Sequence, residues 1–171
     1  IDRSRGLGDV YKRQALKYYN PPSLFTPLDF GLVGFSFACG LGVKVAKPEK
    51  TVVSLMGDGG FGMTISELST AVEYGINTIT IVMNNKSWGA EKAYQKDFFG
   101  KRYLGADISS PPFDKVAKLY GAEGFKIKRL NEINDAVKKA LKINKPVVID
   151  VDVDPKALYS FRRDSFKHRI K

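Results

Sequence analysis

Asp58 stands in the stretch "SLMGDGGFGMTISE" (residues 54 to 67) among Gly57, Gly59, Gly60 and Gly62. The apolar, β-branched run "TVVSLMG" ends immediately before it, and a second such run, "TITIVMNN", ends in Asn84 and Asn85. Asp58 and Asn85 are 27 residues apart, the length of one β–α–β unit. Two parallel strands at that spacing bring both side chains to the same edge of a sheet, and ligands of open α/β sheets bind at the carboxyl ends of strands. A carboxylate oxygen beside an amide oxygen suits a hard cation. Mg²⁺ takes oxygen ligands and commonly shares its shell with a phosphate. Glycines at 57, 59 and 60 let main-chain N–H groups approach such a phosphate, and the start of the following helix favours its charge. Asp-Gly is also a common turn dipeptide. Taken alone the loop fits a plain turn; the asparagine pair at one β–α–β spacing favours the metal–phosphate reading.

The flanking elements supply the frame. "DFGLVGFSFACGLGVKVA", residues 29 to 46, reads as a glycine-rich, deeply buried helix, with "KPEK" as a turn after it. Residues 51–57 and 78–85 read as buried strands. Thr64 and Glu67 have capping-box spacing, which predicts a helix over "ISELSTAVEYG" closed by Gly75. Residues 86–111 read as a long irregular stretch, a length that marks functional loops. "PFDKVAKLYG" predicts a short helix ending at Gly121, and "GFKIKRL" an edge strand. "NEINDAVKKALKIN" reads as an amphipathic helix with Ile133, Val137, Ala140 and Leu141 on one face. "KPVVIDVDV", residues 145 to 153, is a last strand. Alternation of this kind predicts an α/β fold: a parallel sheet with helices on both faces, three layers deep.

The 171 residues suffice for one domain with a core. The first fourteen residues resemble a translated sequencing adapter or a linker, and stand outside the domain read over 15–155. A basic tail, 156–171, follows. The sole cysteine, Cys39, lies in an apolar stretch, so no disulfide closes within the chain, in keeping with a reducing, cytoplasmic compartment. Net charge is +10, of which the last eleven residues carry +4 and the first fourteen +2. The remaining +4 is spread among acids over 146 residues, without the clustered basic face that nucleic acid requires. No apolar run reaches membrane-spanning length.

"GDGGF…NN" at this spacing resembles the cofactor motif of the thiamine-diphosphate enzymes related to acetolactate synthase and pyruvate decarboxylase, over about residues 27 to 153. The resemblance is to their C-terminal, diphosphate-binding domain, a Rossmann-like three-layer unit. It implies thiamine diphosphate and Mg²⁺ as cofactors. It also implies that Asp58, Asn85 and the carbonyl of Ser87 hold the metal, with Gly59 and Gly60 against the diphosphate. "GLVG", residues 31 to 34, matches the segment that meets the aminopyrimidine. There the carbonyl of Gly31 accepts the 4′-amino group and Val33 wedges the cofactor into its bent form. The activating glutamate of the family comes from an N-terminal pyrimidine-binding domain, usually of a neighbouring subunit in a homodimer or homotetramer. That domain is not in this sequence, so the chain alone is expected to be inactive.

Within the family, "WGAEK" (88 to 92), "YGAEG" (120 to 124) and the closing "FRRDSF" resemble the branch that converts sulfoacetaldehyde and phosphate to acetyl phosphate and sulfite. Such an enzyme must hold a sulfonate and a phosphate. Lys92, Arg102, Arg162 and Arg163 are the cationic candidates, arginine being suited to bidentate contact with oxyanions; each also reads as a solvated surface charge. By the same resemblance Glu91 is a proton-transfer candidate. Trp88 either lines the pocket or packs the loop, and His168 sits in the basic tail. Two alternatives stand beside this reading: a 2-oxoacid decarboxylase or carboligase, and a non-catalytic basic binding module.

Overall fold

The computed structural model describes Tyr19, residues 23–27 and residues 31–158. Four strands form one fully parallel sheet in the order β1-β2-β4-β3. They are β1 (Val53–Gly57), β2 (Ile79–Asn84), β3 (Glu123–Ile127) and β4 (Val147–Asp152). The helices are α1 (Phe35–Ala46), α2 (Asp58–Thr64), α3 (Glu67–Glu73), α4 (Gly89–Phe98), α5 (Phe113–Leu119) and α6 (Ile133–Ala140), with a 3₁₀ turn at Leu130–Glu132. The chain steps one way along the sheet from β1 to β2 and the opposite way from β3 to β4. Right-handed crossovers then send the intervening helices to opposite faces.

The core follows that division. On one face Phe37 and Leu41 of α1, Phe61 of α2, Leu68 and Ala71 of α3, and Phe113 and Ala117 of α5 meet Met56, Val82 and Val148. Phe61 is the hinge of this layer, packed edge-on against Phe37 and Phe113 at centroid distances of 5.2 and 5.1 Å, a geometry that favours the ring quadrupoles. On the other face Ala136 and Ala140 of α6 cover Ile79, Val147, Ile149, Val151 and Ile127. The layers lie on alternate residues of each strand, the period of a pleated sheet: Val148 and Asp150 of β4 face the first layer, and Val147, Ile149 and Val151 the second.

Two close approaches set the helix positions. Gly34, at φ +86, opens α1, and a Cβ there would lie 2.7 Å from Thr64 Cγ2; glycine alone meets both demands. A Cβ at Gly124 of β3 would run into the carbonyl of Asp114, so α5 rests directly on the strand backbone.

Several expectations are corrected. The helix after β1 starts at Asp58 itself, not beyond the glycines. Thr64 closes that helix and bonds back to the Gly60 carbonyl, so the Thr64/Glu67 capping box does not form; Ser66 precedes α3 without a side-chain cap. The buried helix read over 29–46 starts at Phe35, and only Phe37, Gly40 and Leu41 of it are buried. Residues 86–111 are not irregular throughout, because α4 occupies their centre. Leu141 lies past the end of α6 and is 56% exposed; Ala136 takes the inward position instead.

Candidate functional site

The β1–β2 register pairs Gly57 with Met83, so Asp58 and the Asn84–Asn85 pair leave the same sheet edge from neighbouring strands. Asp58 is the first residue of α2 and only 1% exposed. The Ser110 hydroxyl donates to its Oδ2 at 2.6 Å. Beyond β2, Asn85 Oδ1 accepts from the main-chain N–H of Ser87 at 3.2 Å, turning the chain sharply after Lys86, whose φ is +55. Ser87 is buried and pairs with Asp107 in an isolated antiparallel bridge. Its Oγ, like Asn84 Oδ1, has no hydrogen-bond partner among the described residues.

Gly59 and Gly60 are buried, with side chains from two other segments packed against them. A Cβ on Gly59 would lie 2.5 Å from the Trp88 ring, so the indole lies flat on that residue. A Cβ on Gly60 would sit 3.5 Å from Val33 Cγ1, so the "GLVG" segment meets the "GDGG" segment here. Val33 itself is 46% exposed and Gly31 has φ +59.

A buried polar network lies behind this edge. Asp150 of β4 is fully buried: its Oδ1 accepts from Asn84 Nδ2 at 3.1 Å, and its Oδ2 accepts from the Phe113 main-chain N–H at 3.1 Å and from Lys126 Nζ at 3.0 Å. Lys126 also bridges to Asp152. Burial pushes the Lys126 ammonium down, but its hydrogen bonds to Asp152 and Asp150 outweigh that and hold it above the usual lysine value.

The segment over the site is fastened to α4. Gln95 donates to the carbonyl of Leu104 and accepts from its N–H, both at 2.9 Å. Lys92 is ion-paired with Asp107 and lies over the Tyr103 ring. That pairing engages the Lys92 cation. Glu91, in the first turn of α4, and Arg102 are both exposed. Arg162, Arg163 and His168 lie outside the described residues. Ser110 and Asp150 were missed in the sequence. For Asp150 there was a signal, a carboxylate in the centre of the apolar run "VVIDV"; for Ser110 there was none.

Among the described residues no three His, Cys, Asp or Glu side chains converge on a metal position. A cation here would therefore draw on Asp58 with amide and main-chain oxygens. The donor chemistry fits Mg²⁺, which accepts carboxylate and carbonyl oxygens together and keeps open positions for phosphate. At Gly59 and Gly60 the ring of Trp88 and the side chain of Val33 stand against the main chain, so a diphosphate approaching its N–H groups would meet both side chains.

Comparison with known proteins bears on the diphosphate part of that chemistry. The chain is 34% identical over 160 residues to sulfoacetaldehyde acetyltransferase of Castellaniella defragrans, covering 91% of this chain and 27% of that protein. It is 42% identical over 126 residues to the acetolactate synthase large subunit of Haemophilus influenzae, covering 72% of this chain and 22% of that one. The chain thus spans about a quarter of the length of these relatives. Among solved structures, the thiamine diphosphate-dependent 4-hydroxybenzoylformate decarboxylase of Rhodococcus jostii RHA1 superposes with a TM-score of 0.69 at 28% identity, covering 74% of this chain and 24% of the other. The family model of the thiamine pyrophosphate enzyme, C-terminal TPP binding domain, matches residues 6–151, and the chain belongs to that family.

Proposed function

We propose that this chain is the diphosphate-binding part of an acetyltransferase that converts sulfoacetaldehyde and phosphate to acetyl phosphate and sulfite. The observation that carries the cofactor reading is a nearly inaccessible carboxylate, Asp58, at a strand tip beside the Asn84–Asn85 tip and next to the buried Gly59 and Gly60. Asp58, Asn85 and the Ser87 carbonyl would hold Mg²⁺. The main-chain N–H groups of Gly59 and Gly60, with Gly57 before them, would meet the diphosphate. Gly31 and Val33 would contact the aminopyrimidine ring. When bound, thiamine diphosphate supplies a nucleophilic carbon and an electron sink.

The rest of the reaction falls to side chains. Glu91 would move a proton near the reacting carbon. With Lys92 engaged by Asp107, the sulfonate and phosphate are left to Arg102 and to Arg162 and Arg163 of the tail, unless an incoming anion draws Lys92 from its partner. The substrate assignment is supported by "WGAEK", "YGAEG" and "FRRDSF", and by the match to sulfoacetaldehyde acetyltransferase. In this reading a pyrimidine-binding domain, in a homodimer or homotetramer, completes the site, and the protein works in the cytoplasm. Among the described residues no helix is long and apolar enough to cross a membrane.

The 42% match to an acetolactate synthase favours a second reading, carboligation of a 2-oxoacid. The full-length protein with thiamine diphosphate and Mg²⁺ should release sulfite from sulfoacetaldehyde only with phosphate, yielding acetyl phosphate. Release of CO₂ from pyruvate without any sulfite from sulfoacetaldehyde would transfer the assignment to the second reading. The 171-residue chain alone should form no acetyl phosphate.

A further inference from the structure

Asp58 can serve a cation only if its carboxylate is held in one orientation. Its position at the start of α2 fixes the backbone but does not by itself set the side-chain dihedrals. The Ser110 hydroxyl, 2.6 Å from Oδ2, restricts that rotation. Ser110 comes from a separate part of the chain, 52 residues away, and is itself only partly buried. Pro111 and Pro112 follow it, limiting the backbone freedom of the segment. The segment is then pinned at Phe113, whose N–H is bonded to Asp150 and whose ring packs on Phe61 of α2. Asp150 in turn holds Asn84, the neighbour of Asn85. One buried carboxylate therefore ties the segment carrying Ser110 to the strand tip carrying Asn85, and Ser110 ties that segment to Asp58.

We propose that Ser110 is a positioning residue for the cation: its hydroxyl orients Asp58 through Oδ2 and leaves Oδ1 for the metal, with Asp150 fixing the segment from which it does so. This rests on the metal reading given under Proposed function. Partners of this kind, one step out from a metal, typically change affinity 10- to 100-fold when removed.

The test is calorimetric titration of Mg²⁺ into the full-length protein at saturating thiamine diphosphate, for the unaltered protein, Ser110→Ala and Ser110→Thr. Ser110→Ala should weaken Mg²⁺ binding about 10-fold or more. Ser110→Thr, which keeps the hydroxyl, should restore it to within about threefold, and far-ultraviolet circular dichroism should be the same for all three. Mg²⁺ affinity in Ser110→Ala equal to or tighter than that of the unaltered protein would overturn the inference while leaving the metal reading intact. Failure of the unaltered protein to bind Mg²⁺ at all would remove the metal reading, and this inference with it.

Discussion

The two faces of the sheet are built from the same strands but do different work. The face under α6 is aliphatic: Ile79, Ile127, Val147, Ile149 and Val151 meet alanines, isoleucines and valines. The face under α1, α2, α3 and α5 combines a three-ring aromatic ladder with buried Ser54, Asn84 and Asp150, and Asp58 emerges at its upper edge. Among the described residues the buried carboxylates, Asp58 and Asp150, lie on the second kind of face or at its rim. One side of the sheet thus carries ordinary packing energy, and the other carries the polar groups that aim the site. An unpaired buried charge costs several kcal/mol, and Asp150 avoids that cost through partners from three other elements.

Variants can break or sharpen that contrast. The largest effect is expected at Gly124, where α5 lies on the strand: Gly124→Ala forces Cβ into the Asp114 carbonyl and should leave little folded protein, measured by circular dichroism of the soluble fraction. Next is Asp150→Ala, which strands the Asn84 amide and the Phe113 N–H and leaves Lys126 with Asp152 alone; it should cost about 2–5 kcal/mol in urea unfolding. A loss under 1 kcal/mol would mean the network is not rigid.

The third test sets the faces against each other. Asp58→Asn should weaken Mg²⁺ binding by about 100-fold or more and change stability little. Ile149→Val on the α6 face should cost about 0.5–1.5 kcal/mol and leave Mg²⁺ affinity unchanged. Equal effects of both on binding would erase the division.

The smallest effect concerns pH. The Lys126 pKa is raised by Asp152 and Asp150 in the folded chain. Its contribution is then fully present below the ordinary lysine value and is lost as pH rises through the higher folded value. Lys126→Met should therefore flatten the alkaline fall in melting temperature. Glu132, held below its ordinary value by hydrogen bonds from the main-chain N–H of Lys128 and the side chain of Arg129, shapes only the acid limb.

Much of this was legible in the amino-acid order because strands that are buried on both sides leave continuous apolar runs, as 78–85 and 145–153 do; 51–57 is as apolar, yet β1 lies at the end of the strand order with Val53 and Gly57 exposed, so it is not the buried strand its composition predicts. The parallel sheet followed from the alternation of apolar strands with helices, the edge position of β3 from its polar face, and the emergence of Asp58 and the Asn84–Asn85 pair from neighbouring strands from their spacing. The helix inside 86–111 was not legible, because α4 buries only Ala93 and so shows no apolar stripe. Its anchors, Gln95 on the Leu104 main chain and Lys92 on Asp107, are long-range pairings with no periodicity. The start of α2 at Asp58 was hidden by glycines, which weaken the helical signal although the fold imposes a helix on them. Ser110 was invisible for a similar reason: it meets Asp58 only after both loops are in place.

The indole lying on Gly59 has an optical consequence. Trp88 is the only tryptophan of the 171 residues, and it covers Gly59, assigned to the diphosphate. Emission excited at the red edge of protein absorption thus comes from a single point at that glycine. A polyphosphate arriving there must share the space with the ring or turn it aside, so intensity and wavelength report occupancy directly, without a label and without turnover.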